Sequence, residues 1–377
     1  AAPRCAGAGE PSAVQPEPVG GPIGALVDAV AASRCGAINQ RLVEASGRDA
    51  VLALTTESAK LMNAVNVATA MHRLATLEKK RRAERDVLLR DPRFEALLDS
   101  VVGRAAEFNA RQTADVLWSC ATLRHWPPLL LKPLLLRVVY HLERQTFEPH
   151  HLSVMSWAFA TLECKPVRLL EDIDRQACAV SRELSPQNCA NLLWGFAKLR
   201  QPSAELLPVV AARLESGLLD ECKPVEVSDL AYATAVMGTA GEGSCEPQQA
   251  RRDCAPRSRF GSGLSPNLPG TSPSQAKELL AALATRALPH TCLPRFSSRQ
   301  LVTLVWAHAR LGVQPPQETL DAWRQAMRAA VDQRPLQKAD RQSLEASLGK
   351  LGETCRGAWI PDTSEPAESE ADAVSAA

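Results

Sequence analysis

The chain has 377 residues, 45% of them hydrophobic, and its 43 Lys and Arg against 42 Asp and Glu give a formal charge of +1. Five of the acids (Asp362, Glu365, Glu368, Glu370, Asp372) fall in residues 361–377, which hold no base, so the remainder carries +6. That balance admits a polyanionic partner but excludes a protein that grips nucleic acid by bulk charge alone, and a chain of this length either splits into domains or extends as a repeat array. The 11 cysteines include no Cys-x-x-Cys pair, which argues against a zinc site and for a reducing compartment. Cys120, Cys178 and Cys189 lie in apolar stretches, where a thiol acts as a small hydrophobe. No apolar run approaches the roughly eighteen residues of a membrane span. Even the Leu-rich stretch near Leu129 is broken by Lys132, Pro133 and Arg137.

Residues 1–24 are rich in Pro, Gly and Ala and read as a disordered N-terminal segment without the Arg-rich pattern of a transit peptide. Residues 25–238 read as helical repeats. The first copy, NVATAMHRLA, places Thr69 at its anchor position and leads into the charged EKKRRAER (Glu78–Arg85), a solvated helix by its Glu/Arg spacing. TADVLWSCATLR, LSVMSWAFATLE and CANLLWGFAKLR superimpose on Trp118, Trp157 and Trp194, which lie 39 and 37 residues apart, and DLAYATAVMG puts Tyr232 in the same slot 38 residues further on. Residues 239–273, rich in Gly, Ser, Pro, Cys and Arg with no hydrophobic period, read as a disordered insertion. Repeats resume over 274–352, with LVTLVWAHARLG anchored on Trp306 and a worn copy around Ala346, followed by an acidic disordered tail at 353–377.

Each anchor segment from Trp118 to Trp306, the Tyr232 copy included, is followed by a second helical pattern, at 129–142, 167–180, 204–214, 275–287 and 319–330, several of them entered through Pro or Ser residues suited to a first turn. Every unit is therefore a helix A, a turn and a helix B. One pair cannot bury its apolar face, so the pairs must stack. The expected fold is all-α, a right-handed α-solenoid of about seven helix-pair repeats of ~38 residues.

Aligned as columns, the repeats separate scaffold from surface. Two before the anchor and five after it the residues are almost all Leu, Val or Met, and the anchor tryptophans are expected to wedge between adjacent repeats. Three before the anchor come Asn66, Asp115, Val154, Asn191, Asp229, Thr303 and Ser343; six before it come Asn63, Gln112, His151, Asn188, Glu226, Gln300 and Asp340. Four after it lie Arg73, Thr122, Thr161, Lys198, Val236, Arg310 and Lys350. A polar column that changes donor and acceptor character from repeat to repeat, beside intermittent cations, suits reading of base edges and phosphates. First-turn Ser, Thr, Asn and Asp also cap helices, the competing explanation for these positions.

The segments NCANLLWGFAKLRQPSAELLPVVAARL and LVTLVWAHARLGVQPPQETL resemble octotricopeptide-repeat proteins and the related FAST leucine-rich proteins. An apolar helix carrying Leu-Leu-Trp, then Ala, then Lys-Leu recurs in register, and the likeness spans about residues 60–352. The proline-rich turn is only partial (WPPLLL, QPPQET), and no RAP-like domain precedes the acidic tail. The resemblance implies binding of single-stranded RNA in the mitochondrion, with the chloroplast as the alternative, in support of RNA processing, stability or translation and alongside other RNA-processing proteins. The residues expected to contact RNA are Asn63, Asn66, Arg73, Gln112, Asp115, His151, Asn188, Asn191, Lys198, Asp229, Gln300, Thr303 and Arg310. Arg251, Arg252, Arg257 and Arg259 of the insertion would add non-specific affinity. No catalytic residue, cofactor or metal ligand is assigned: Gly349-Lys350 lacks the glycine spacing of a phosphate loop, and His150 and His151 point to different helix faces. The rival expectation is a protein-binding α-solenoid scaffold.

Overall fold

The computed structural model describes residues 22–79, 81–201, 203, 205–239, 273–286, 295–353 and 359–360. The expected disordered stretches lie mostly outside that set, but Pro22 to Gly24 belong to the first helix, and Thr239 and Pro273 end and begin the helices on either side of the insertion. In the expected tail Trp359 and Ile360 are buried, with the Arg324 guanidinium 5.6 Å from the Trp359 ring, which corrects the reading of a tail disordered from residue 353. The described residues form α-helices and short 3-10 turns with no β-strand. In chain order the helices begin with α1 (Pro22–Glu44), α2 (Arg48–Glu57), α3 (Ala64–Glu78), α4 (Arg82–Leu88), α5 (Pro92–Arg104), α6 (Ala110–Leu123), α7 (Pro128–Glu143) and α8 (Pro149–Thr161). They continue with α9 (Val167–Ala179), α10 (Pro186–Leu199), α11 (Leu206–Glu215), α12 (Pro224–Gly238), α13 (Pro273–Arg286), α14 (Ser298–Leu311), α15 (Gln317–Gln333) and α16 (Lys338–Lys350).

Two rows of packing follow. Helices α1, α3, α6, α8, α10, α12, α14 and α16 pack on one another in that order, while α2, α5, α7, α9, α11 and α13 form the second row. The apolar columns of both rows join in one continuous core. The pair α1–α2 precedes the first copy recognised in the sequence, and α5, not α4, is the second-row partner of α3. The insertion falls inside a repeat, between helix A α12 and its packed partner α13.

Local chemistry fixes these boundaries. Proline occupies the first turn of α5, α7, α8, α10 and α12, where its missing N–H has no intrahelical acceptor to lose. Arg124, Glu163, Arg200, Gly312 and Gly352 turn the chain out of five A helices in the left-handed region, with φ between 49° and 74°. Long side chains then tie several repeats to their neighbours through backbone carbonyls at helix ends and turns. Lys165 donates to Arg200 O at 2.9 Å, Gln176 to Leu142 O at 2.7 Å, His141 Nε2 pairs with Phe108 O at 2.9 Å, and Gln314 reaches Leu351 O at 3.3 Å.

The capping pattern corrects the register of the first repeat. In α6, α8, α10, α12 and α14 the anchor stands six residues after the third residue of the helix; in α3 that third residue is Asn66, so the anchor is His72 and not Thr69. Ala75-Thr76-Leu77 then aligns with Ala121-Thr122-Leu123 and Ala160-Thr161-Leu162.

Candidate nucleic-acid interface

An A helix is covered by its row neighbours on both sides and by a second-row helix behind, which leaves one narrow strip open. In α10 the strip is Gln187, Asn191, Trp194 and Lys198, while the intervening residues from Asn188 to Ala197 are buried. These positions, seven and three before the anchor, the anchor itself and four after it, lie within about 60° on a helix of 100° per residue. The same four positions are the open ones in α12 (Val225, Asp229, Tyr232, Val236) and in the anchor turns of α3 and α14, with local exceptions in α6 and α8, where Thr122 and Val154 are covered.

Row by row, the strip has an aromatic spine. His72, Trp118, Trp157, Trp194, Tyr232 and Trp306 are all partly exposed, whereas Trp323 and Trp359 are fully buried. The anchors do touch across repeats at two places: His72 stacks on Trp118 with ring centroids 4.8 Å apart, and Tyr232 on Trp306 at 5.5 Å. Cations lie over the outer members, Lys79 Nζ 5.7 Å from the Trp118 ring and the Arg310 guanidinium 5.3 Å from Trp306. The anchors sit as expected, partly buried against the core between adjacent repeats. They bury one side of the ring between helices and present the rest.

Exposed bases line both edges: Lys79, Arg124, Lys198, Arg200 and Lys350 at the C-terminal end of the A helices, Arg111 and Arg299 at the N-terminal end. The acids on the strip are fewer. Asp115 pairs with Arg111 at 3.8 Å, and burial, followed by the nearby Glu226, pushes the Asp229 carboxyl up to about 6.

Of the residues expected to contact RNA, Asp115, Asn191, Asp229, Thr303, Lys198 and Arg310 come together on this strip. The others are taken up by the fold. Asn63 and Asn66 cap α3 reciprocally, at 3.0 and 3.2 Å, and Asn66, wholly buried, also donates to Cys35 O at 2.9 Å. Gln112, His151 and Gln300 each turn back to accept the N–H of the residue that caps their helix, from Asn109 at 3.0 Å, Glu148 at 3.1 Å and Ser297 at 2.8 Å. Asn188 is buried and accepts from Ser153 Oγ of α8 at 3.1 Å. Arg73 donates to Ala45 O at 2.7 Å, closing the end of α1. For Asn66, Gln112, His151 and Gln300 the reason is shared: the first turn of a helix has N–H groups without partners, and a polar side chain at its third position reaches back to satisfy one. Asn188 and Arg73 are instead held by neighbouring helices. Residues that the column reading passed over, the aromatic spine and the flanking Arg111, Arg124, Arg200 and Arg299, belong to the strip instead.

Other chemistry is sparse among the described residues. No group of three or more His, Cys, Asp or Glu side chains converges as a metal site, and no helix is long and apolar enough to cross a membrane. Cys120, Cys178, Cys189 and Cys222 are free thiols whose burial pushes their pKa up to about 12, so they are poor nucleophiles. Searches of known protein families and of curated proteins find no match to this chain.

Proposed function

We propose that the two packed rows constitute a right-handed α-solenoid whose A-helix strip binds single-stranded RNA without enzymatic action of its own. The observation that carries this reading is the recurrence of one partly accessible ring in each of six successive A helices, α3 to α14, set between a polar row and basic edges. Bases stack on aromatic rings and phosphates pair with Lys and Arg, which is how single strands are held. The variable residues beside the spine, Asp115, Asn191, Asp229 and Thr303, stand where base edges would lie. The resemblance to octotricopeptide-repeat and FAST leucine-rich proteins supports RNA as the polyanion and the mitochondrion, or alternatively the chloroplast, as the setting, in a role in RNA processing, stability or translation.

The test is a salt titration of binding to random single-stranded RNA. With about six phosphates neutralised, the log–log slope should be near −4, and affinity at low salt should be micromolar or tighter. Charge reversal of Arg111, Lys198, Arg200 and Arg299 should flatten that slope. No binding at low salt overturns the reading.

A protein-binding scaffold is the second reading, and one observation favours it. Leu129, Leu136 and Tyr140 are 74%, 59% and 39% exposed along one face of α7, with the guanidinium groups of Arg137 and Arg144 4.1 and 3.8 Å from the tyrosine ring. That face lies on a second-row helix and, on this reading, would hold another protein of the same RNA-processing assembly.

A further inference from the structure

The outward residues of α7, Leu129, Lys132, Leu136 and Tyr140, follow one another at intervals of three and four, which places them on one stripe of the helix. Leu129 and Leu136 are more than half exposed. At 1.5 Å per residue the stripe runs for about 16 Å, or three turns. The next second-row helix, α9, packs against α7 one repeat further on, and its matching outward positions are Arg168, Glu171, Arg175 and Ala179, all exposed. A second-row helix that meets only water is polar there, so two leucines in the same places on α7 mark a surface that something covers.

The charge beside the stripe is one-sided. On α7 and its C-cap Lys132, Arg137 and Arg144 stand against Glu143, and among the described residues none of the three bases forms an ion pair. On α9, by contrast, Arg175 is paired with Asp172 at 2.8 Å. Two of the α7 bases are also held in place. The guanidinium groups of Arg137 and Arg144 lie over the Tyr140 ring, Arg137 Nε donates to Phe108 O, and Arg144 Nη1 donates to Tyr140 O at 3.3 Å. The tethers leave further N–H donors on each guanidinium that no acid takes. Side chains ordered before a ligand arrives cost less to bind with.

We propose that this face of α7 docks an acidic amphipathic helix of another protein, whose apolar side chains pack on Leu129 and Leu136 and whose carboxylates meet Lys132, Arg137 and Arg144. A three-turn stripe with leucines one helical repeat apart is the shape that a second helix matches, ridge into groove. A second copy of α7 meeting the face isologously would set base against base. The chain's own acidic segment, residues 361–377, matches the charge but offers Val374 as its only large apolar residue, too little to cover two leucines. The proposal rests on the protein-binding reading of α7, gives its partner a chemistry, and is independent of the A-helix strip.

The test uses the full chain and two acetylated helical peptides of about 18 residues with leucines at helical spacing, one flanked by glutamates and the other by lysines. Binding is read by fluorescence anisotropy. The glutamate peptide should bind with a micromolar Kd and the lysine peptide at least 10-fold more weakly. Leu129→Gln with Leu136→Gln should weaken the glutamate peptide at least 10-fold and leave the unfolding midpoint unchanged, since both side chains already stand in water. Lys132→Glu with Arg144→Glu should invert the preference, a gain of lysine-peptide binding that misfolding cannot produce. Equal binding of the two peptides, or a preference that the charge variant leaves unchanged, overturns the acidic partner while protein binding at α7 stands. Glutamate-peptide binding that survives the glutamine pair, or no binding of either peptide, overturns the proposal and the protein-binding reading of this face together. A dimer in light scattering that the glutamine pair converts to monomer assigns the face to a second copy and overturns it. A 10-fold loss of single-stranded RNA binding in the charge variant assigns these bases to RNA and overturns it as well.

Discussion

Substituting Gly195 by alanine separates close packing of the A row from mere helical propensity. A Cβ built at Gly195 in α10 would stand 2.2 Å from Ser156 Oγ and 2.7 and 2.8 Å from the Ser156 carbonyl oxygen and carbon in α8. The hydroxyl can rotate away, at the cost of its bond to Leu192 O at 3.2 Å, a loss of about 1 kcal/mol. The backbone cannot, so the helices must part by several tenths of an ångström, and overpacking of this kind costs about 1–3 kcal/mol. Alanine returns about 1 kcal/mol of helix propensity. The net expectation for Gly195→Ala is a destabilisation of about 1–3 kcal/mol. Gly103→Ala in α5, where nothing lies within 4 Å of the added carbon, should instead stabilise by about 0.5–1 kcal/mol. Urea unfolding followed by circular dichroism at 222 nm reads both, and adding Ser156→Ala should restore only part of the Gly195 loss because the carbonyl contact remains. Equal stability of the Gly195 and Gly103 variants would refute close contact between α8 and α10.

The remaining predictions concern charge and backbone. Burial lowers the His308 pKa to about 4 from 6.5, so the folded chain refuses a proton that the unfolded chain accepts. Stability contributed by this site is intact above pH 6.5 and lost as pH falls toward 4; between pH 7.5 and 4.5, His308→Leu should remove about 2–3 kcal/mol of the acid sensitivity of the urea midpoint. Asp229 has the opposite sign, since its carboxyl, raised to about 6, binds a proton better in the fold than in the unfolded chain. Asp229→Asn should therefore stabilise by about 1–2 kcal/mol at pH 7.5 and by nothing near pH 4, measured as the difference between thermal midpoints at the two pH values. Arg124 and Arg200, at φ 51° and 49°, hold conformations that favour glycine. Each Arg→Gly change should raise stability by about 0.5–1 kcal/mol in the same assay while weakening RNA binding through the lost charge.

The tryptophan column carries most of the architecture because a large apolar ring recurring every 37 to 39 residues fixes both period and phase. The second-row helices follow to within two or three residues: 129–142 is expected where Pro128–Glu143 forms, and 167–180 where Val167–Ala179 forms. Without a tryptophan the phase holds at Tyr232 but slips in the first copy. His72 replaces it in α3, and the tripeptide Ala75-Thr76-Leu77 was the signal that could have set the register. The capping role of Gln112 and Gln300 is also written in the sequence, as Asn109-x-x-Gln112 and Ser297-x-x-Gln300, a pattern that assigns the third helical residue to the helix end before any ligand can use it. The bond from Asn66 to Cys35 O and the inter-helix bond of Asn188 to Ser153 join residues 31 and 35 apart and could not be read locally.

The accessibility of the spine turns on one geometrical point. On a helical wheel the anchor lies at one edge of the roughly 60° arc that holds the positions seven and three before it and four after it, all of them mostly polar, so the arc already assigns it to the rim of the open side; hydrophobicity alone assigns it to the core. Both are true of an indole, which can bury one edge and expose a face. Six such rings in line would be a liability on a surface that meets only water, because contiguous apolar area of that kind marks a binding surface or an aggregation hazard. The two ends of the line relieve it by stacking on themselves, at 4.8 and 5.5 Å. Among the described residues the middle does not. Partly exposed ring faces beside polar neighbours such as Asp115 and Asn191 are what a nucleobase, flat on its faces and polar on its edges, would satisfy at once.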